Sequence, residues 1–349
     1  MKQKILSVIL MLMLAVCTGC GNGGEPTKVI LTMGFSEDEV FRIENASCSK
    51  QEIMLLLTNI QNQYENIYGA EIWEKDYDGI TLEQNVKENV LAQISRIKTM
   101  SLLAEQYGVS LTEEQELCLQ EAANAYYETL NETEIKVLGV TPEMIKELYR
   151  EYALADTVYE YIIKDINPEI SDDEARTITV QHIMFKTYEI DGTGQVIEYS
   201  DENKEEAYRR AREVLKLAKQ EDSDFEELVL MYSEGEEGTV SFGKGETESA
   251  FETVAFKLET GEISEIIENS DGFHIIKCIS TFDREQTDIN KVKIVEKRKE
   301  EVFGQEYEAF AQTLNKKLNE ELWKKISLCR NEEIVTSSFF SIYEQYYEN

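Results

Sequence analysis

The 349-residue sequence contains few of the side chains that most often hold metals or carry redox chemistry. It has only two histidines and six cysteines. Two cysteines stand in the apolar N-terminal region, and the others are far apart in the sequence: Cys48, Cys118, Cys278 and Cys329. The lack of a Cys-x-x-Cys motif or a Cys/His cluster argues against redox catalysis and a structural zinc site. We therefore expect no metal and no cofactor, and a disulfide framework does not fit a chain of this size.

Positive charge is also scarce. The sequence has 35 lysines and arginines against 69 acidic residues, a formal net charge of −34. This excess argues against nucleic acid or anionic lipid headgroups as partners of the protein surface. It favours a cationic or unfolded polypeptide, with a merely solvated surface as the alternative for any single acidic run.

The N-terminal region has the pattern of an export signal. Lys2 and Lys4 precede an apolar stretch at residues 5–16, which is too short for a membrane span. Gly19-Cys20 then resembles the site read by a lipoprotein signal peptidase, although Cys17 stands where leucine is usual. We expect a signal peptide at residues 1–20 and lipidation of Cys20, which would anchor an extracytoplasmic protein to the bacterial cell membrane. Plain cleavage and an uncleaved anchor are the alternatives.

Helix and strand signals divide the rest of the chain. Residues 21–48 read as a linker with short apolar runs at 29–33 and 40–43, either two strands or one strand and a loop. Residues 49–173 read as a helical region with about five helices between 49 and 166. The helix starts are indicated by capping-box patterns and one N-terminal proline: Ser49, Thr81, Thr112, Thr141-Pro142 and Ser171.

The C-terminal part, residues 285–349, also reads as helical. Residues 287–326 are predicted to form one long helix, because apolar residues recur along it at helical spacing. An aromatic-rich tail follows at 332–347.

Both histidines lie in short motifs that frame residues 176–282. The first motif runs from Thr177 to Lys186 (TITVQHIMFK), and the second is DGFHIIK at 271–277. Between them lie DFEEL at 224–228, YS at 232–233, FGKG at 242–245 and AFETVAFKLETGEIS at 250–264. This ordered series resembles the parvulin (PpiC-type, rotamase) family of peptidyl-prolyl cis-trans isomerases.

The resemblance implies a fold for residues 174–284. It is a four-stranded antiparallel sheet flanked by helices, within an α+β protein in which this domain is inserted into an all-helical part. Strand alternation places two sets of side chains on matching faces of the first and last strands: Val180, His182 and Met184, and His274, Ile276 and Cys278. Both histidines are thus predicted to point into one concavity.

The resemblance also implies roles for three polar residues. His182 and His274 match the histidine pair of the family, which orients polar groups by hydrogen bonds and does not act as acid and base. Asn269 stands where a threonine or serine usually bonds a histidine. An amide can still donate and accept hydrogen bonds, so we expect reduced and not absent activity.

Three further residues correspond to the proline pocket. Phe251 matches its floor, Val240 its aliphatic wall, and Thr247 stands where methionine is expected. Two other departures are Gly235, where cysteine or aspartate is usual, and Ser241 in place of a turn glycine. Residues 233–241 contain no Lys or Arg, so dependence on a phosphorylated substrate is not expected.

Two segments of the helical part are YENIYG at 64–69, before a long helix, and YREYALA at 149–155, before the next domain. On these segments the helical part resembles the N-terminal region of PrsA/SurA-like foldases, whose C-terminal helix returns to pack on it. This resemblance implies an extracytoplasmic foldase lipoprotein that binds unfolded secreted polypeptides and isomerises Xaa-Pro bonds. A non-catalytic holdase chaperone with a silent parvulin domain is the alternative. A solute-binding lipoprotein fits less well because no two-lobed alternation of helices and strands is visible.

Overall fold

The computed structural model describes residues 34–77, 79–192 and 195–347. The predicted signal peptide, Cys20 and the apolar run at 29–33 lie outside these residues. Within the described part of the chain, every helix is too short or too polar to cross a lipid bilayer.

The chain divides into two compact units. Among the described residues, unit 1 consists of those up to Asp165 together with those from Val302 onward, and unit 2 runs from Ile166 to Glu301. Unit 2 is therefore an insertion within the sequence of unit 1, and the predicted α+β class with an inserted domain is confirmed. Unit 2 extends beyond the predicted bounds of 174–284 at both ends.

The helices and strands follow one another in this order. The first part of the chain forms β1 (Glu39–Ile43), β2 (Ala46–Ser49), α1 (Lys50–Tyr68), a 3-10 helix (Ala70–Glu74), β3 (Asp76–Tyr77), β4 (Ile80–Thr81), α2 (Leu82–Tyr107), α3 (Glu113–Thr129), α4 (Glu132–Leu138) and α5 (Pro142–Ile163). The middle part forms β5 (Thr177–Lys186), β6 (Tyr188–Ile190), β7 (Val196–Glu198), α6 (Asp201–Ala218), α7 (Phe225–Tyr232), β8 (Thr239–Gly243), α8 (Ser249–Ala255), β9 (Ile267–Glu268) and β10 (Gly272–Ser280). The last part forms α9 (Arg284–Ala311), β11 (Lys316–Leu318), α10 (Glu320–Trp323) and α11 (Phe339–Tyr347).

The predicted helix starts hold at four of five positions. Ser49 and Thr112 form reciprocal capping boxes, and Thr81 accepts a hydrogen bond from the backbone N–H of Gln84. Pro142 occupies the first turn of α5 after the capping Thr141. These caps satisfy backbone N–H groups that a helix start leaves without partners, which is why the helices begin there.

Three expectations require correction. No helix follows Ser171: its hydroxyl accepts a hydrogen bond from Glu174 in an isolated turn, and the chain then enters β5. The predicted helix at 287–326 is wrong beyond Ala311, because residues 316–318 leave the helix and pair with β1. β8 and the β6–β7 hairpin were not predicted as strands.

Aromatic packing joins the C-terminal tail to the helices of unit 1. The Phe339 ring lies 4.5 Å from that of Tyr149 and 5.3 Å from that of Tyr126. The Tyr149 hydroxyl donates a hydrogen bond to the Phe339 carbonyl at 2.7 Å. Side-chain amides of α1 hold the extended segment before α11; Gln61, for example, donates to the Cys329 carbonyl and accepts from its N–H. The tail is thus part of the unit 1 core.

A buried charge cluster links three elements of unit 1. The Nζ atom of Lys98 in α2 lies 2.7 Å from a carboxylate oxygen of Glu151 in α5 and 2.8 Å from one of Glu52 in α1. Lys98 is only 3% exposed. Because one cation faces two carboxylates away from water, the cluster carries excess negative charge, and burial raises the pKa of Glu151 to about 7.

Unit 2 is built on a four-stranded antiparallel sheet with the strand order β8-β5-β10-β9. One face is covered by α6 and α7 and carries Ile183, Phe185, Phe273 and Ile275. The opposite face packs against α8 and includes Ile178, Val180, Ile276 and Cys278. We call these the α6 face and the α8 face.

Candidate functional site

Both histidines lie on the α8 face of the sheet. In the β5–β10 register, Ile276 is paired with His182, and His274 is paired with Met184. The two imidazole rings are stacked with centroids 5.5 Å apart, and their Nδ1 atoms are separated by 3.4 Å. The predicted facing of the two side chains therefore agrees with the strand register.

Asn269 fixes the hydrogen-bonding role of His274 in this pair. Its Oδ1 atom accepts hydrogen bonds from the backbone N–H groups of Asp271 and Gly272, at 3.0 and 3.1 Å. The same oxygen lies 2.9 Å from Nε2 of His274, so this ring nitrogen must be the donor. A neutral His274 then presents Nδ1 as an acceptor toward Nδ1 of His182, 3.4 Å away. The turn around Asn269 thus selects the tautomer of His274.

The site favours uncharged histidines. Burial lowers the pKa of His274 to about 4, and the neighbouring His182 contributes in the same direction. Burial also lowers the pKa of His182, partly opposed by a hydrogen bond with the backbone of Glu237. His274 is only 3% exposed, so water cannot solvate an imidazolium there. Both rings are neutral at pH 7 and offer oriented N–H groups without charge.

Phe251 completes an aromatic triad with the histidines. Its ring is buried and stands nearly perpendicular to both imidazoles, with centroids 5.5 Å from His182 and 5.4 Å from His274. Phe242 on β8 lies behind it at 5.8 Å. The first turn of α8 presents Phe251 to the sheet, because Ala255, one turn later, is buried on the same side. The result is an apolar floor beside two neutral polar rings.

The two predicted wall residues differ in how well they fit. Val240 is paired with Val180 and packs in the cluster on the α8 face. Thr247 precedes α8, and its hydroxyl oxygen is buried without a hydrogen-bond partner among the described residues. An unsatisfied buried hydroxyl is costly, so Thr247 is a less favourable wall residue than the methionine expected there.

The loop between α7 and β8, which contains Gly235, holds β5 beside the site. Gly238 accepts a hydrogen bond from the backbone N–H of His182 at 2.9 Å, and Glu234 donates to the Met184 carbonyl at 2.8 Å. The Ser233 hydroxyl also accepts from the N–H of Met184. A Cβ atom at Gly235 would lie 3.3 Å from the Met184 sulfur, so a cysteine or aspartate at this position would require a small shift of the Met184 side chain. The sequence signals for this loop were the Tyr232-Ser233 motif and the departure at Gly235.

Gly272 allows the last strand to approach β5. Its φ of 144° is one that other residues rarely adopt, and an added Cβ would lie 2.0 Å from the carbonyl oxygen of Phe185. The glycine between Asp271 and Phe273 in the second histidine motif therefore sets the close strand pairing that brings His274 to His182.

The family described as the PPIC-type PPIase domain (rotamase) matches residues 182–280. This segment is a PPIC-type rotamase domain. The match begins at His182 and includes β10 with His274, the elements that form the site. The predicted resemblance to the parvulin family is thereby confirmed.

Proteins similar to this chain share the name foldase protein PrsA, and the predicted foldase relationship is confirmed. The chain is 25% identical over 287 residues to "Foldase protein PrsA" of Caldanaerobacter subterraneus subsp. tengcongensis, covering 78% of this chain and 84% of that protein. It is 30% identical over 148 residues to the protein of the same name in Staphylococcus aureus, covering 40% and 43%. Among solved structures, the peptidylprolyl isomerase PrsA of Bacillus cereus is 18% identical, with a TM-score of 0.34 and coverage of 86% and 96%.

Proposed function

We propose that this protein is an extracytoplasmic foldase that binds unfolded secreted polypeptides and catalyses cis-trans isomerisation of their Xaa-Pro bonds. The observation that carries the proposal is the grouping of His182, His274 and Phe251 on one face of a PPIC-type domain. The name of the relatives, foldase protein PrsA, supports a polypeptide as substrate.

The chemistry of the site suits a twisted amide. Isomerisation must break amide resonance, with a barrier of about 18–20 kcal/mol. The reaction needs no nucleophile and no metal, because a site lowers the barrier by binding the twisted amide better than the planar one. In the proposed mechanism Phe251 contacts the proline ring, Val240 and Thr247 line the pocket, and the neutral His182 and His274 keep it uncharged. Asn269 acts through His274 as a positioning residue.

The catalytic proposal is tested with the full mature chain and a chromogenic Xaa-Pro peptide. We expect the wild type to accelerate isomerisation and Phe251→Ala to reduce kcat/KM at least tenfold, since the proline loses its floor. Because a buried aromatic also contributes about 3–5 kcal/mol to folding, Phe251→Leu serves as the control that keeps an apolar side chain. Buffer-level rates for the wild type would refute catalysis.

A non-catalytic holdase is the second candidate, and the partnerless Thr247 hydroxyl is the observation that favours it. A wild type that suppresses aggregation of an unfolded client at buffer-level isomerase rates would identify this alternative.

Membrane attachment is a separate part of the proposal and rests on the Gly19-Cys20 sequence. Cells supplied with a labelled fatty acid should label the wild-type protein and not Cys20→Ala. Label that persists in the variant would point to Cys17 or refute lipidation.

A further inference from the structure

Unit 2 has a second concave surface, on the α6 face of the sheet and away from the histidines. A cavity of about 540 Å³ lies between the start of α6 and the β9–β10 pair. Its apolar side is formed by Tyr208, Ile266 and Phe273. The Tyr208 and Phe273 rings are 5.2 Å apart, and Tyr208 is 44% exposed. We call this surface the α6 groove.

The rim of the α6 groove is acidic. Asp201, Glu205 and Glu268 line it and are exposed. The one basic residue of the lining, Lys204, lies 3.1 Å from Glu198 and is therefore already paired. Within the described residues, no Lys or Arg lies within ion-pair distance of Glu205 or Glu268. An exposed aromatic ring beside unpaired carboxylates is complementary to a cation on an apolar stem.

We infer that the α6 groove binds an arginine or lysine side chain of the client polypeptide. A guanidinium group stacks on an aromatic face and pairs with carboxylates at the same time, which a neutral side chain cannot do. Its methylene stem covers the apolar floor while the charge stays at the wet rim. The inference rests on the proposed function in one respect, namely that the ligand is an unfolded polypeptide.

The position of the groove relates it to the proline pocket. Phe273 and Glu268 are paired across β10 and β9, and the residues that follow them are His274 and Asn269. β9 is a two-residue edge strand, so an extended client can pass around it from one face to the other. The basic side chain and the proline therefore belong to one extended segment of the client.

The inference is tested by the binding of short, fluorescent, proline-free peptides to the full mature chain. One peptide carries arginine and its partner carries citrulline, which has nearly the same shape without the charge. We expect the arginine peptide to bind about tenfold more tightly, as one exposed cation–π contact and a screened ion pair together predict. The difference should shrink as salt is raised.

Variants locate the site. Glu205→Gln with Glu268→Gln should abolish the preference for arginine over citrulline, and Tyr208→Ala should weaken it. The matched control is Glu213→Gln with Glu221→Gln, which changes the net charge equally at exposed positions outside the groove and should retain the preference. Equal affinity of the two peptides for the wild type, or equal loss in the control, would overturn the inference. Because the peptides lack proline, a failure of isomerase activity leaves this result unaffected.

Discussion

Replacing Asn269 with aspartate puts a carboxylate 2.9 Å from Nε2 of His274 while keeping the oxygen that accepts the N–H groups of Asp271 and Gly272. In the wild type, burial holds the pKa of His274 at about 4. An opposite charge in direct contact raises the pKa of a histidine by about 1–3 units. We therefore expect a His274 pKa of about 5–7 in Asn269→Asp, and a value close to that of the wild type in Asn269→Thr.

The sequence makes the measurement simple, because an untagged protein has only two histidines. Imidazole resonances followed by NMR from pH 3 to pH 9 give both titrations, and His182→Gln assigns them. A wild-type midpoint of His274 near 6.5 would refute the buried, neutral state of this ring. An unchanged His274 pKa in Asn269→Asp would refute the contact with residue 269.

The same pKa shift has a consequence for stability. The folded-state pKa of His274 is below its ordinary value of 6.5, so its contribution to folding is present above pH 6.5 and is lost as pH falls through about 4. A difference of about 2.5 units corresponds to about 3 kcal/mol. The free energy of unfolding can be measured with denaturant at pH 7.5 and pH 4 for the wild type and Asn269→Asp. It should fall less between these two pH values in the variant than in the wild type.

Two further changes test other parts of the molecule. The folded-state pKa of Glu151 is raised from 4.5 to about 7, so its stabilising contribution is present below pH 4.5 and is lost as pH rises through 7. Between pH 5 and pH 8, the free energy of unfolding of Glu151→Gln in urea should rise by about 2–3 kcal/mol relative to that of the wild type. An identical pH dependence of the two free energies would contradict a raised pKa of the buried Glu151. Thr247→Met removes the partnerless hydroxyl and should raise both kcat/KM on Xaa-Pro peptides and the free energy of unfolding, the latter by about 1 kcal/mol. Thr247→Ser is its control, and a serine variant that gains as much as the methionine variant would show that the hydroxyl is not the cause.

Local signals in the sequence determined much of the helical part. The capping boxes at Ser49 and Thr112 and the proline at 142 predict helices that begin at these points, because the cap and the first turn are made by residues three or four apart. Alternation in the two histidine motifs likewise predicts the shared face of His182 and His274. These features depend on neighbours in the chain, so they can be read from it.

Long-range partners decided the rest. Ser171 has the same start pattern as Ser49, yet the chain after it continues into β5, where Thr177 donates to the Thr287 hydroxyl. The helical periodicity past Ala311 is overridden because residues 316–318 pair with β1, far away in sequence. The tautomer of His274 depends on where the turn at Asn269 places one oxygen, and the α6 groove depends on a helix meeting a strand edge. Such contacts form only when distant segments pack together, so only the tertiary structure determines them.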